Sequence, residues 1–131
     1  MTADNETLVR NAFDALARGD VQAMLELVDP DLEWTFLEPT EVDPEPQVCR
    51  GRDQLAYWVG RDSGWRIRPE LEELVSFGER VLVVTHSPGI DERRARKTDD
   101  RNFHVVTVRG ERITALRACR SRQEAEEVAS T

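Results

Sequence analysis

The sequence predicts an α+β domain, and three observations predict it. Two helical stripes separated by a single glycine open the chain, a run of antiparallel-type strands parted by turn residues follows, and a capping signature marks a short helix at the end. At 131 residues the chain fits one domain, residues 1–131, large enough to bury most of the surface its unfolded form exposes. It contains no internal repeat and no linker.

The first helix is carried by Leu8, Val9, Ala12, Phe13 and Leu16, which share one face. Gly19 follows where a helix C-terminus favours a residue tolerant of positive φ. Asp20 then caps a second helix whose stripe is Val21, Met24, Leu25 and Val28, and Asp29-Pro30 is expected to end it, because proline removes a donor and restricts the residue before it. After Pro30 the period becomes alternating, with Trp34 and Phe36 on one face and Glu33, Thr35 and Leu37 on the other. Glu38 to Arg50 holds three prolines and four acids, with Val42 and Val48 as its aliphatics, and is expected to be an irregular loop. Gly51-Arg52-Asp53 opens a third helix in which Leu55, Trp58 and Val59 share a face, and Asp62-Ser63-Gly64 stops it.

From Trp65 onward the period is that of strands. Trp65 to Phe77 alternates loosely, with Pro69 at an edge or bulge, and Gly78-Glu79 turns the chain into the β-branched run Arg80 to Ser87. Ser87 to Asp100 is a polar connection, Asn102 to Val108 the next strand, Arg109-Gly110 a tight turn, and Arg112 to Arg120 the last strand. Ser121-Arg122-Gln123-Glu124 is a capping box that opens a short C-terminal helix. Helices packed on one face of a curved sheet and closing one end of it leave a concave, largely apolar hollow, the usual shape of a small-molecule site.

Composition excludes several functions. The formal net charge of −8 argues against a phosphate-backbone partner, so no nucleic acid is expected. The basic cluster Arg93, Arg94, Arg96, Lys97 and Arg101 is interleaved with Asp91, Glu92, Asp99 and Asp100 and reads as a solvated loop. No apolar run approaches the roughly 20 residues that span a bilayer, and the N-terminus lacks the order of a signal peptide, which predicts a cytoplasmic protein with no membrane partner. Cys49 and Cys119 lie far apart without metal-ligand spacing and read as free thiols. Lys97 is the one lysine among eighteen basic residues, a bias that fits a GC-rich bacterial genome. No P-loop, GxGxxG, HExxH, GxSxG or EF-hand pattern occurs, so no cofactor and no metal are expected, and any chemistry would be cofactor-free proton transfer or the addition and removal of water.

Three segments carry a family resemblance: ARGDVQAMLELVDPDLEWTF near the start, CRGRDQL in the middle and HVVTVRGERITALRA near the end. In this order they resemble the SnoaL-like and ketosteroid-isomerase-like group of the nuclear transport factor 2 superfamily, over nearly the whole chain. The resemblance implies a cone-shaped fold, with three N-terminal helices packed on a strongly curved, mostly antiparallel sheet and a ligand cavity between them. It also implies a homodimer formed through the outer sheet face, and a membership spanning isomerases, polyketide cyclases, dehydratases, epoxide hydrolases and plain binding domains.

A ketosteroid isomerase carries a tyrosine on the first helix, a general-base aspartate on the first strand and a buried protonated aspartate late in the sheet. Counted without gaps from Gly19-Asp20, those first two positions are Ala12 and Phe36 here; counted back from Gly110, the third is His104. All three differ in chemistry, so the resemblance does not extend to steroid isomerisation by that mechanism. It places Trp58, Val59, Leu116, Ala118 and Arg120 toward the cavity, while strand parity adds Trp34, Phe36 and Glu38.

The expected wall is therefore apolar and aromatic with three polar intrusions. His104 lies in NFHVVTV, whose two faces are equally apolar, so alternation does not say which one it occupies. It is either a histidine satisfied by backbone or solvent, or a cavity acid/base able to move a proton near neutral pH. Arg120 either anchors an anionic oxygen through its planar fork or points outward to a surface acid. Glu38 is either a partly desolvated base beside Trp34 and Phe36 or a solvated loop carboxylate like Glu41, Asp43 and Glu45. Trp34, Phe36, Trp58, Val59, Leu116 and Ala118 set the hydrophobicity of the wall. The sequence thus points to a domain that binds a small hydrophobic molecule, as a cofactor-free isomerase, cyclase or dehydratase with His104, Glu38 and Arg120 as its catalytic groups, or as a non-catalytic binding or dimerisation domain.

Overall fold

The computed structural model describes residues 2–37, 45–63, 70–86 and 101–131, with 2–4 and 58–63 described by their backbone alone. Helices α1 (Thr2–Arg18) and α2 (Val21–Leu25) are followed by strands β1 (Val28–Phe36) and β2 (Gln47–Arg50), then helix α3 (Gly51–Ser63). Strands β3 (Glu70–Phe77), β4 (Arg80–His86), β5 (Asn102–Arg109) and β6 (Arg112–Cys119) come next, and helix α4 (Arg122–Ser130) closes the chain.

The helix junction is built from two hydrogen bonds that satisfy the last carbonyls of α1. The Gly19 amide donates to the Leu16 carbonyl at 3.0 Å and the Asp20 amide to the Ala15 carbonyl at 2.8 Å, a pair that needs the left-handed φ of 75° at Gly19. One carboxylate oxygen of Asp20 then accepts from the Ala23 amide at 3.1 Å and starts α2.

The strands form one open mixed sheet in the order β2-β1-β6-β5-β4-β3, antiparallel everywhere except between β1 and β6. Alternation assigns its faces. Val81, Val83, Val106, Val108, Ile113 and Leu116 pack with Val9, Ala12, Phe13 and Ala15 of α1, Met24 of α2 and Leu55 of α3; this is the inner face. Leu82, Val84, Val105 and Cys119 pack on the opposite, outer face against Ala125 and Ala129 of α4. Arg122 fastens α4 there by donating twice to the Glu73 carboxylate, at 2.8 and 2.6 Å.

Several boundaries differ from the sequence expectation. Asp29-Pro30 does not end α2, which stops at Leu25; β1 starts at Val28 and runs through the proline. Val28 pairs with Ile113 and is fully buried, and the ladder slips between Val28 and Glu33, so Pro30 sits where no regular donor is required. Asp31 lies within β1, its amide bonded to the Asp29 carboxylate at 2.8 Å. The expected loop Glu38 to Arg50 contains β2, paired antiparallel with β1 from Phe36↔Gln47 to Glu33↔Arg50. The C-terminal helix covers the sheet face opposite to α1, so the helices do not share one face. The connection Ser87 to Asp100 and its basic cluster up to Lys97, like Trp65 to Pro69, lie outside the described residues.

Among the described residues the other strands, turns and the last cap lie where the sequence places them, within a residue or two. Glu70 to Phe77 is an edge strand with a bulge between Leu71 and Glu73, joined by Gly78 at φ 67° to β4. Gly110 and Glu111, at φ 58° and 62°, form the tight turn between β5 and β6. In the capping box the Ser121 hydroxyl accepts from the Glu124 amide at 3.1 Å, and the Glu124 carboxylate accepts from the amide of Arg120, one residue before the cap. No described helix is long and apolar enough to cross a membrane.

Candidate functional site

Strand register settles the side of His104. It lies directly across from Val83 on β4 and from Ala118 on β6, and Val83 belongs to the inner cluster. Helix α1 confirms the side, because the Phe13 ring meets the His104 ring at a centroid distance of 6.0 Å and an angle of 48°. His104 therefore faces the helices, and its Nδ1 is a buried atom.

The inner face continues across the sheet from there. Val106, two residues after His104, pairs with Leu116, and Leu116 pairs in turn with Trp34 of β1. Trp34 and Phe36 stand two residues apart on one face of β1 with ring centroids 5.0 Å apart. His104, Ala118, Leu116, Trp34 and Phe36 thus form one continuous apolar and aromatic wall. Leu116 is 7% exposed and belongs to the packed core of this face, whereas Trp34 is half-buried at its border.

Arg120 follows Ala118 by two residues, about 7 Å along the strand direction, and its half-buried side chain has a buried Nε. Its backbone is held by the bond to Glu124, so the capping box that starts α4 also fixes where the arginine leaves the sheet. Glu38 lies outside the described residues. Trp58 and Val59 lie in α3, but their side chains are outside the described ones.

Sequence reasoning missed Thr85. It sits on β4 two residues after Val83, hence on the inner face, directly across from Asn102 on β5 and Leu71 on β3. Its side chain is 0% exposed, and its hydroxyl has no hydrogen-bond partner among the described residues. A buried hydroxyl left without a partner costs about 1–3 kcal/mol. The available signal was a lone hydroxyl after the aliphatic run Val81 to Val84, but threonine is common in strands and the run alone does not single it out.

The outer face carries different chemistry. Cys119 is buried there and unpaired with Cys49, and burial first, with Glu124 second, pushes its thiol up to about 11. Hydrogen bonds from Arg122 hold Glu73 below its usual range. An open groove of about 470 Å³ beside the end of α4 is lined by Phe77, Glu79, Arg80, Ala129, Ser130 and Thr131, none of them a candidate site residue. Among the described residues no group of three or more His, Cys, Asp or Glu is placed to hold a metal ion.

The family model of the SnoaL-like domain matches residues 9–116. No curated protein matches the chain. Solved structures do match. Bal32a, from a soil-derived mobile gene cassette, is 17% identical with a TM-score of 0.73, over 99% of this chain and 98% of that one. A candidate polyketide cyclase from Sinorhizobium meliloti is 18% identical with a TM-score of 0.67, over 86% and 94%. TerC, co-crystallised with polyporic acid, is 15% identical with a TM-score of 0.67, over 98% and 99%. At these identities the likeness is one of fold. With a family model spanning residues 9–116, the chain belongs to the SnoaL-like family.

Proposed function

We propose that this domain binds a small hydrophobic molecule between helix α1 and the inner sheet face, and that His104 moves a proton on it without a cofactor. The observation that carries the reading is the pair formed by Phe13 and His104: one ionisable ring on an otherwise apolar wall, on the same face as Leu116 and Ala118. Imidazole accepts and donates protons near neutral pH, and a site that excludes water makes such a transfer effective once a substrate proton is within reach. Arg120 anchors the anionic oxygen that develops, and Glu38 supplies a second carboxyl at the end of β1. Trp34, Phe36, Trp58, Val59, Leu116 and Ala118 form the wall of a conical cavity. The reaction class is isomerisation, aldol-type cyclisation or dehydration. The solved neighbours support a small-molecule role, one being a candidate polyketide cyclase and another crystallised with polyporic acid.

A second reading is a non-catalytic ligand-binding or dimerisation domain. It is favoured by Ala12 and Phe36, which stand where the best-known enzymes of the family carry a tyrosine and an aspartate. In either reading the protein is proposed to be a cytoplasmic homodimer.

Native mass spectrometry of gently purified protein tests both. A small molecule retained on the folded chain supports the binding reading and identifies the chemical class, and the total mass gives the oligomer. On the substrate so identified, His104→Ala is expected to lose turnover by at least about a hundredfold, the usual contribution of a general acid/base. Full turnover by that variant would refute the assigned role of His104 and leave the binding reading in place.

A further inference from the structure

We infer that Thr85 is a specificity-determining residue of this site, and that its hydroxyl receives a carbonyl or hydroxyl oxygen carried by an aromatic ligand. The inference rests on the proposed binding of a small molecule at the inner face and names the chemistry that molecule must carry.

Strand β4 explains why the residue stands out. From Val81 to Val84 it is aliphatic on both faces, and every one of those side chains is buried. Valine at position 85 would fill the same space as threonine and keep the strand preference, with no polar atom to satisfy. Threonine instead puts a hydroxyl into a fully buried position where no described group bonds to it. Shielded from bulk solvent and unbonded among the described residues, that hydroxyl is open to an oxygen brought by a ligand.

The neighbours define what that ligand is. Thr85 lies diagonally from His104, since Val83 pairs with His104 and Thr85 with Asn102, and adjacent strands are about 4.8 Å apart. Across β5 from Val83 the next inner position on β6 is Ala118, the smallest side chain of this wall, with the Phe13 ring against His104 above it. A flat ring lying along this wall over Ala118, beside the His104 ring, would carry an oxygen on its edge toward β4. A threonine hydroxyl both donates and accepts, so it serves a phenol or a quinone carbonyl equally. A site built to bond such an oxygen rejects the analogue that lacks it, because the buried hydroxyl is then left unpaired.

The test compares two probes that differ by one oxygen, naphthalene and 1-naphthol, titrated against the full-length protein and the variants Thr85→Val and Thr85→Ser. Wild type is expected to prefer 1-naphthol, Thr85→Val to lose that preference about tenfold with naphthalene affinity unchanged, and Thr85→Ser to keep it. Thr85→Val is also expected to unfold at the same temperature as wild type or higher, since it removes an unsatisfied polar group. An unchanged preference in Thr85→Val would overturn the inference while leaving the site reading intact, as would a lower unfolding temperature, which would mean that the hydroxyl is satisfied by the protein or by an ordered water. Failure of both probes to bind wild type would overturn the site reading and the inference together.

Discussion

Phe13 and His104, 91 positions apart in the chain, meet ring to ring at 6.0 Å, and this contact joins the first helix to the middle of the sheet. It gives the one histidine of β5 an apolar neighbour on the inner face. The packing, the proposed chemistry and the boundary between core and ligand wall all meet at this pair.

Leu116 lies at that boundary, seated in the core and facing the same side as the wall. It is 7% exposed, packed in the inner cluster and paired with both Val106 and Trp34. Leu116→Ala is expected to lower the unfolding free energy by about 2–5 kcal/mol, the cost of a buried leucine truncated to alanine. Chemical denaturation measures it. A loss well below that range would mean that Leu116 contributes little to the packed core.

The β5–β6 turn holds a strained residue. Glu111 adopts φ 62°, in the left-handed region, directly after Gly110 at φ 58°. Two consecutive residues of this kind favour glycine or asparagine at the second position. Glu111→Gly is expected to stabilise the fold by up to about 1 kcal/mol, the scale of the left-handed penalty for a residue with a Cβ. Thermal unfolding of the variant checks it.

Cys119 should resist thiol reagents. It is 7% exposed and its thiol is pushed up to about 11, chiefly by burial. At pH 8 roughly one such group in a thousand is ionised, and the thiolate is the reactive form. In a Cys49→Ser background, where Cys119 is the one thiol left, Ellman's reagent is expected to label it at a rate set by unfolding.

The link between Arg122 and Glu73 makes part of the stability depend on pH. Hydrogen bonds from Arg122 lower the Glu73 pKa from its ordinary 4.5 in the folded protein. A lowered folded value contributes stability above the unfolded pKa, and that contribution is lost as the pH falls through the folded value. Arg122→Ala is therefore expected to lower the urea midpoint at pH 7 and to differ less from wild type at acid pH, where Glu73 is protonated. The pair is half-exposed, so solvent screening keeps the effect small.

How much was legible in the sequence follows from how strongly each residue is constrained. Gly19 and Asp20 marked the α1–α2 junction because a helix end demands a left-handed residue and a helix start demands an acceptor. Strand β2 was illegible because it is a short edge strand in which Cys49 is the single buried residue of four, so it carries no apolar alternation. The end of α2 was misread because Val28 satisfies a helical stripe as well as a strand, and its pairing with Ile113 decided the matter. The face of His104 was illegible for a different reason. Phe103 and Val105 are covered by α4 on the outer side while Val106 and Val108 pack inward, so both faces of β5 are apolar and only the register shows which one looks at α1.

The central claim is that a small hydrophobic molecule binds between α1 and the inner sheet face, and methyl and aromatic NMR of the protein titrated with 1-naphthol tests it most directly. The account predicts intermolecular contacts to Phe13, His104 and the methyl groups of Thr85, Ala118 and Leu116, with Ala125 and Ala129 of α4 unaffected. Contacts confined to the outer face or to the groove beside the end of α4, or none at all, would contradict it.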